Sequence, residues 1–146
     1  MNKWFKVVIL LLSWQSVYAE TSKEYAIMGM KCWHGYVCSV LASKMENEKE
    51  HERLFTYAYK NGRTFIEAIQ NNKITQQDYS NNVPLIVNLN LQGPSVDFML
   101  GRIYEHAVDS ALEGVILTDG EINDYELQKV LAQGKYEKSN CMLIGD

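Results

Sequence analysis

Residues 82–112 read NVPLIVNLNLQGPSVDFMLGRIYEHAVDSAL, the longest apolar stretch outside the N-terminus, broken once at Gly93-Pro94. A chain of this length has room for one sizeable core, and the pattern places that core around this stretch. Pro84 and Pro94, the only prolines, each sit just inside a possible helix start, where a missing N–H costs nothing. Gly93 then ends one helix and caps the next. Beyond it, Val96, Met99, Leu100, Ile103, Ala107 and Ala111 recur at three- and four-residue spacing, the stripe of an amphipathic helix. Before it, Val83, Leu85, Val87, Leu89 and Leu91 alternate with mostly polar residues, a strand pattern. Ile86 breaks that alternation, and only residues 115–118 and 142–144 offer a pairing strand. The segment is therefore read as a buried helix of about nine residues.

The N-terminus carries Lys3 and Lys6, an apolar run over residues 7–14, and the small-x-small sequence Val17-Tyr18-Ala19. These are the parts of a secretory signal peptide cleaved after Ala19. The run is far short of the ~20 residues that span a bilayer. Residues 20–146 then form the mature chain, a single helical domain with no membrane association after cleavage. Losing two lysines takes the formal charge from −4 to −6. Such a chain suits neither nucleic acid nor anionic membranes, and it favours basic partners.

After a polar lead, residues 25–45 read as a first helix with a stripe of Met30, Trp33, Val37, Val40 and Leu41. Gly29 and Gly35 weaken it or admit a close neighbour. Asn47 with Glu50 resembles a capping box, opening a helix to about residue 71. Leu54, Ala58, Phe65 and Ile69 form its buried stripe, and the charge run from Glu46 to Arg53, His51 included, is a solvated face. Thr75, answered by Asp78, caps a short turn of helix. Gly114 ends the central pair. Thr118 with Glu121 makes another capping box, for a helix that Gly134 ends. The fold class is all-α: an irregular bundle of about five helices with a helix–Gly93-Pro94–helix corner at its centre.

Cys32, Cys38 and Cys141 would enter an oxidising compartment. Cys32 and Cys38 stand six apart on one helix, about 9 Å along its axis, and a disulfide needs Cα atoms within about 7 Å. Cys141 therefore pairs with one of them and ties back the C-terminal tail. Cys38–Cys141 is preferred because Cys38 lies nearer the apolar stripe, with Cys32–Cys141 as the alternative.

No sequence pattern demands a metal or cofactor. Neither CxxC nor HxxxH occurs. DGEINDYE, residues 119–126, matches the back half of an EF-hand loop, but Val115 and Leu117 occupy its first two ligand positions and carry no side-chain oxygen. His106, Asp109 and Ser110 include triad residue types, yet three residues within about one helical turn cannot place the base between the other two. Arg102, with Glu105 and Asp97 nearby, reads as a flank ion pair or as a carboxylate clamp.

No catalytic site is expected. The chain reads as a non-enzymatic exported, periplasmic binding protein whose partner is another protein, basic in character. By analogy of class it is an inhibitor or immunity protein against a cell-wall hydrolase. Trp33, Tyr36, Arg102 and Glu105 are the candidate binding residues. The alternative is a small-molecule binder with a pocket between helices lined by Trp33, Tyr36, Phe98 and Met99. A small hydrolase ranks third. Intact-mass measurement of the exported protein should give a chain beginning at Glu20; retention of residues 1–19 would overturn the signal-peptide reading.

Overall fold

The computed structural model describes residues 20–145; the signal-peptide reading of residues 1–19 lies outside the described residues. Six helices and one short hairpin follow in order: α1 (Ser22–Lys44), α2 (Glu48–Gln70), α3 (Gln76–Asn82), α4 (Leu85–Leu89), α5 (Val96–Leu112), the strands β1 (Leu117–Thr118) and β2 (Glu121–Ile122), and α6 (Tyr125–Lys138). A 3₁₀ turn, Cys141–Leu143, closes the chain. The all-α reading holds.

The centre of the bundle is α1, not the 82–112 stretch. Helix α1 packs against every other helix and the C-terminal turn. Its buried set is Tyr25, Ala26, Gly29, Cys32, Gly35, Tyr36 and then the unbroken run from Cys38 to Ala42. Five consecutive buried residues occupy all sides of a helix, so no single stripe exists there. Of the expected stripe, Met30, Trp33 and Val37 are only half-buried. The helix also begins earlier than its apolar pattern. Thr21 and Glu24 form a reciprocal capping box, in which the Thr21 hydroxyl accepts from the Glu24 N–H and the Glu24 carboxylate accepts from the Thr21 N–H at 2.6 Å.

Two buried clusters lie along α1. One gathers Cys32, Tyr36, Ala58, Phe65, Leu100 and Ile103; the other gathers Cys38, Leu41, Leu54, Ala111, Ala132 and Cys141. Small residues bring α1 and α2 together. A methyl group added at Gly35 would stand 2.9 Å from Ala58 Cβ, and one added at Gly62 would stand 2.7 Å from Cys32 Sγ and nearer still to Leu100 Cδ2. The α1–α2 turn is a Schellman motif: Asn47 N–H reaches Ala42 O and Glu46 N–H reaches Ser43 O, with Glu46 left-handed at φ 60°.

The central corner is looser than its pattern implies. α4 spans five residues and buries Val87, while Leu85 and Leu89 stand 70 % and 59 % exposed. Asn90 is buried and donates to Ile86 O, whereas Asn88 is exposed; that opposition is helical, not strand-like. Neither proline lies inside a helix. Pro84 is the N-cap of α4, and Ser95, not Gly93, caps α5 by accepting from Phe98 N–H.

Residues 117–122 depart furthest from expectation. Thr118 and Glu121 are not a capping box. They face each other across a two-residue hairpin turn with Asp119 at φ 53° and Gly120 at φ 85°, both in the positive range that a type I′ turn requires. Asp124 caps α6 instead, accepting from Leu127 N–H, and the helix runs through Gly134.

Cys38 and Cys141 form the disulfide, Cα atoms 5.5 Å apart across 103 residues of sequence, and Cys32 is a free, buried thiol. In the chain-entropy account a loop of this size is worth about 4–5 kcal/mol.

Helix propensity alone would make any glycine-to-alanine change in a helix favourable by up to about 1 kcal/mol. Nothing lies within 4 Å of a methyl group at Gly134, so Gly134→Ala should raise the melting temperature. Gly62→Ala should lower it, because overpacking of about 1–3 kcal/mol outweighs the propensity gain. Thermal melts of the two variants beside the parent check this; a rise in both would show that the α1–α2–α5 junction has slack.

Candidate functional site

The four candidate binding residues do not converge. Tyr36 is 1 % exposed, which corrects its reading as a contact residue: its ring packs against Phe55 and Tyr104 at centroid distances of 5.4 and 5.2 Å, and burial pushes its phenol pKa upward. Trp33 is half-buried and lines an open groove of about 250 Å³ with His34, Val37, Cys38, Ser110 and Ser139. Arg102 donates to Gln92 O at 2.8 Å, bracing the α4–α5 corner. Glu105 is exposed. The ion pair expected of Arg102 is made instead by Arg63, which reaches Asp97 at 3.0 Å while the Tyr59 hydroxyl donates to the same oxygen. Met99 is buried in the core, Phe98 is half exposed, and neither lines the groove beside Trp33.

Chemically capable side chains are occupied structurally or dispersed. His106, Asp109 and Ser110 are all exposed, and the Ser110 carbonyl accepts from Lys135 Nζ at 3.0 Å. His51 Nδ1 lies 2.9 Å from Ser39 Oγ and 3.0 Å from Ser39 O, so it joins α2 to α1 and is not part of a solvated face. Burial pushes the Cys32 thiol to about 12, far from nucleophilic use. Asn123, inside the segment 119–126 that matches the back half of an EF-hand loop, is buried, and its amide donates to Val115 O and Thr118 Oγ. Among the described residues, no group of three or more His, Cys, Asp or Glu could hold a metal ion.

One polar cluster links distant parts of the chain. Glu50, in the first turn of α2, accepts two hydrogen bonds from Arg53, at 2.8 Å from Nε and 2.6 Å from Nη2, and one from the Tyr136 hydroxyl of α6. Arg53 also donates to Ile144 O. The bonds from Arg53 hold the Glu50 carboxyl at about 2 against the upward push of burial, and the Tyr136 bond assists. Burial, then the bond to Glu50, pushes Tyr136 to about 12. The cluster fastens α2, α6 and the tail beside the disulfide. The expectation of a uniformly solvated face from Glu46 to Arg53 fails here, because Glu50 turns inward.

The hairpin and α6 present the opposite arrangement, with apolar side chains facing water. Leu117 pairs with Ile122, and Thr118 with Glu121. Paired residues share a face of a two-stranded sheet. The Thr118 hydroxyl accepts from the buried Asn123 amide, but all four strand residues are exposed, so both faces of the hairpin meet water, with Leu117 and Ile122 on one and Thr118 and Glu121 on the other. Leu117 is 50 % and Ile122 77 % exposed. On α6 the buried residues are Gln128, Ala132 and Tyr136; Leu127 and Val130 lie on the opposite face at helical spacing, both exposed. Sequence reasoning missed this surface. Its signal was Asp119-Gly120 between two apolar-containing dipeptides, a hairpin cue masked by the Thr-x-x-Glu spacing.

No protein-family profile, curated protein or solved structure matches the chain.

Glu50 carries a pH signature. A carboxyl lowered on folding contributes stability above its unfolded pKa and loses it as pH falls through the folded one. The contribution should be complete above about pH 4.5 and drain away toward about pH 2. Glu50→Gln should melt lower at pH 7 and show a shallower decline in melting temperature across that acid window. An unchanged acid slope would remove Glu50 from the account.

Proposed function

We propose that the chain is a non-enzymatic exported protein that works by binding another protein across its surface, as an inhibitor or immunity protein against a cell-wall hydrolase does. The observation that carries this reading is the outward placement of large aliphatic side chains on a molecule whose core is already filled. Ile122, Leu85 and Val130 are 77 %, 70 % and 66 % exposed, while Tyr36 and Met99, expected beside a ligand, are packed in the interior. Contiguous exposed apolar side chains on a folded protein mark contact surfaces, and Ile122 with its cross-strand partner Leu117 is such a pair. Export is supported by the leader-like pattern of residues 1–19 and by the Cys38–Cys141 disulfide, a bond that persists in oxidising compartments. Among the described residues, no helix is long and apolar enough to cross a membrane.

A groove of about 400 Å³ favours the second reading, a small-molecule binder. It is lined by Asn72, Gln76, Tyr79, Asn88 and Gln92 together with aliphatic side chains. It is open to solvent, and binding there would select neutral, hydrogen-bonding ligands.

Affinity purification of the tagged protein from the cell envelope, with mass spectrometry in denaturing and native modes, separates the two. The expected outcome is one protein retained in near-stoichiometric amount that binds again when both components are purified. A native spectrum showing a bound small molecule and no retained protein would overturn the proposal in favour of the groove.

A further inference from the structure

We infer that the Leu117–Ile122 face of the hairpin is the docking surface for a protein partner whose contact face is apolar at its centre and rimmed with lysine or arginine. The inference rests on the protein-binding reading above and specifies where that binding occurs and with what chemistry.

The hairpin stands clear of the helices: its strands pack only against each other, and all four strand residues are exposed. Leu117 and Ile122, paired on one face, are 50 % and 77 % exposed, while the Thr118 hydroxyl on the other face accepts from the buried Asn123 amide. The base of the hairpin is held firmly in place. Asn123 N–H donates to Ile116 O at 2.9 Å, the Asn123 amide donates to Val115 O, and the Gln128 amide donates to Asn123 O at 2.6 Å. Val115 itself is fully buried. A face fixed before binding loses little conformational entropy on association.

Charge identifies the partner. Residues 103–128 contain seven carboxylates and no lysine or arginine. Four of them, Asp119, Glu121, Asp124 and Glu126, occupy the hairpin and the start of α6, and all four are exposed. The next cations along the chain are already engaged: Lys129 pairs with Glu46 at 2.6 Å, and Lys135 donates to the Ser110 and Glu113 carbonyls at the end of α5. An apolar face bordered by carboxylates attracts a basic-rimmed face and repels an acidic one. A second copy of this chain would bring like charge against like, which leaves a different protein as the occupant. A second exposed aliphatic pair, Leu85 and Leu89 on α4, is flanked in sequence by Asn81, Asn82, Asn88 and Gln92, with no adjacent charge along the chain to select a partner.

The test places a photo-crosslinking benzophenone amino acid in the full chain, at Ile122 in one strain and at Leu85 in another. Irradiation of intact cells is followed by mass spectrometry of the adducts. The expected result is an adduct at Ile122 joined to a lysine- or arginine-rich segment of a different protein. Its yield should fall at least about tenfold when Glu121→Lys and Glu126→Lys are introduced together, with the circular dichroism spectrum and melting temperature preserved. Adducts at Leu85 alone would overturn the hairpin site and leave protein binding standing. An adduct at Ile122 of twice the chain's mass would assign the face to self-association. A yield unaffected by charge reversal would overturn the basic rim. Absence of adducts at both positions would overturn this inference and the protein-binding reading together.

Discussion

The fold depends on how closely α1 and α2 approach. Gly35 meets Ala58 and Gly62 meets Cys32 with no room for one more carbon, and this proximity lets α1 be covered by other helices along its remaining sides. Larger residues would push α2 outward, open the Cys32–Leu100 junction and lift α5 from the core. The glycines lower the intrinsic preference for helix; the contacts they permit along two helices of 23 residues each offset that loss. Dispersion falls steeply with separation, so a displacement of even a fraction of an ångström would weaken contacts along both helices.

Helix locations were legible wherever one face meets the core. The periodic residues of α5, Met99, Leu100, Ile103, Ala107 and Ala111, are buried as their spacing implies. So are Leu54, Ala58 and Phe65 of α2. The caps at Asn47 and Thr75 were legible because cap geometry is local. The centrality of α1 was not. A helix buried on all sides has no stripe for periodicity to detect, and its glycines resemble weaknesses. The disulfide was anticipated correctly for an incomplete reason: Cys32 is as buried as Cys38, and what separates them is direction. Cys32 faces Gly62 and Leu100, whereas Cys38 faces the C-terminal turn. Of the candidate site, little was legible. Tyr36, a contact residue by sequence, fills the core in this fold, and the exposed hairpin is concealed by a capping-box spacing that positive φ at Asp119 and Gly120 overrides.

The two ends of the described chain are secured differently. Thr21 and Ser22 are tied by hydroxyl hydrogen bonds, with Ser22 reaching Asp78 and accepting from Thr75 N–H, so the entry to α1 also fixes the entry to α3. The C-terminal end is held by a covalent bond and by the Glu50–Arg53 pair, which grips Ile144 O beyond the disulfide. Both sets respond to acid, because the Ser22 and Thr75 bonds lower the Asp78 carboxyl as the Arg53 bonds lower that of Glu50; they differ in that only the second is reinforced by a covalent bond.

The placement of Cys32 also dictates the order in which the chain can mature. Three thiols allow three pairings. Cys32 with Cys38 is closed off as soon as α1 is helical, because six residues of helix turn the two side chains about 120° apart and separate them along the axis. Cys32 with Cys141 stays open until α2 and α5 cover Cys32, at Gly62 and Leu100. Oxidation before that packing would mix native and non-native bridges, whereas oxidation after it leaves Cys38 as the sole partner for Cys141. Fidelity of the bridge is thus a matter of timing: the helical hairpin must assemble before the oxidant acts, and the free thiol is protected by the same close contact that holds the bundle together.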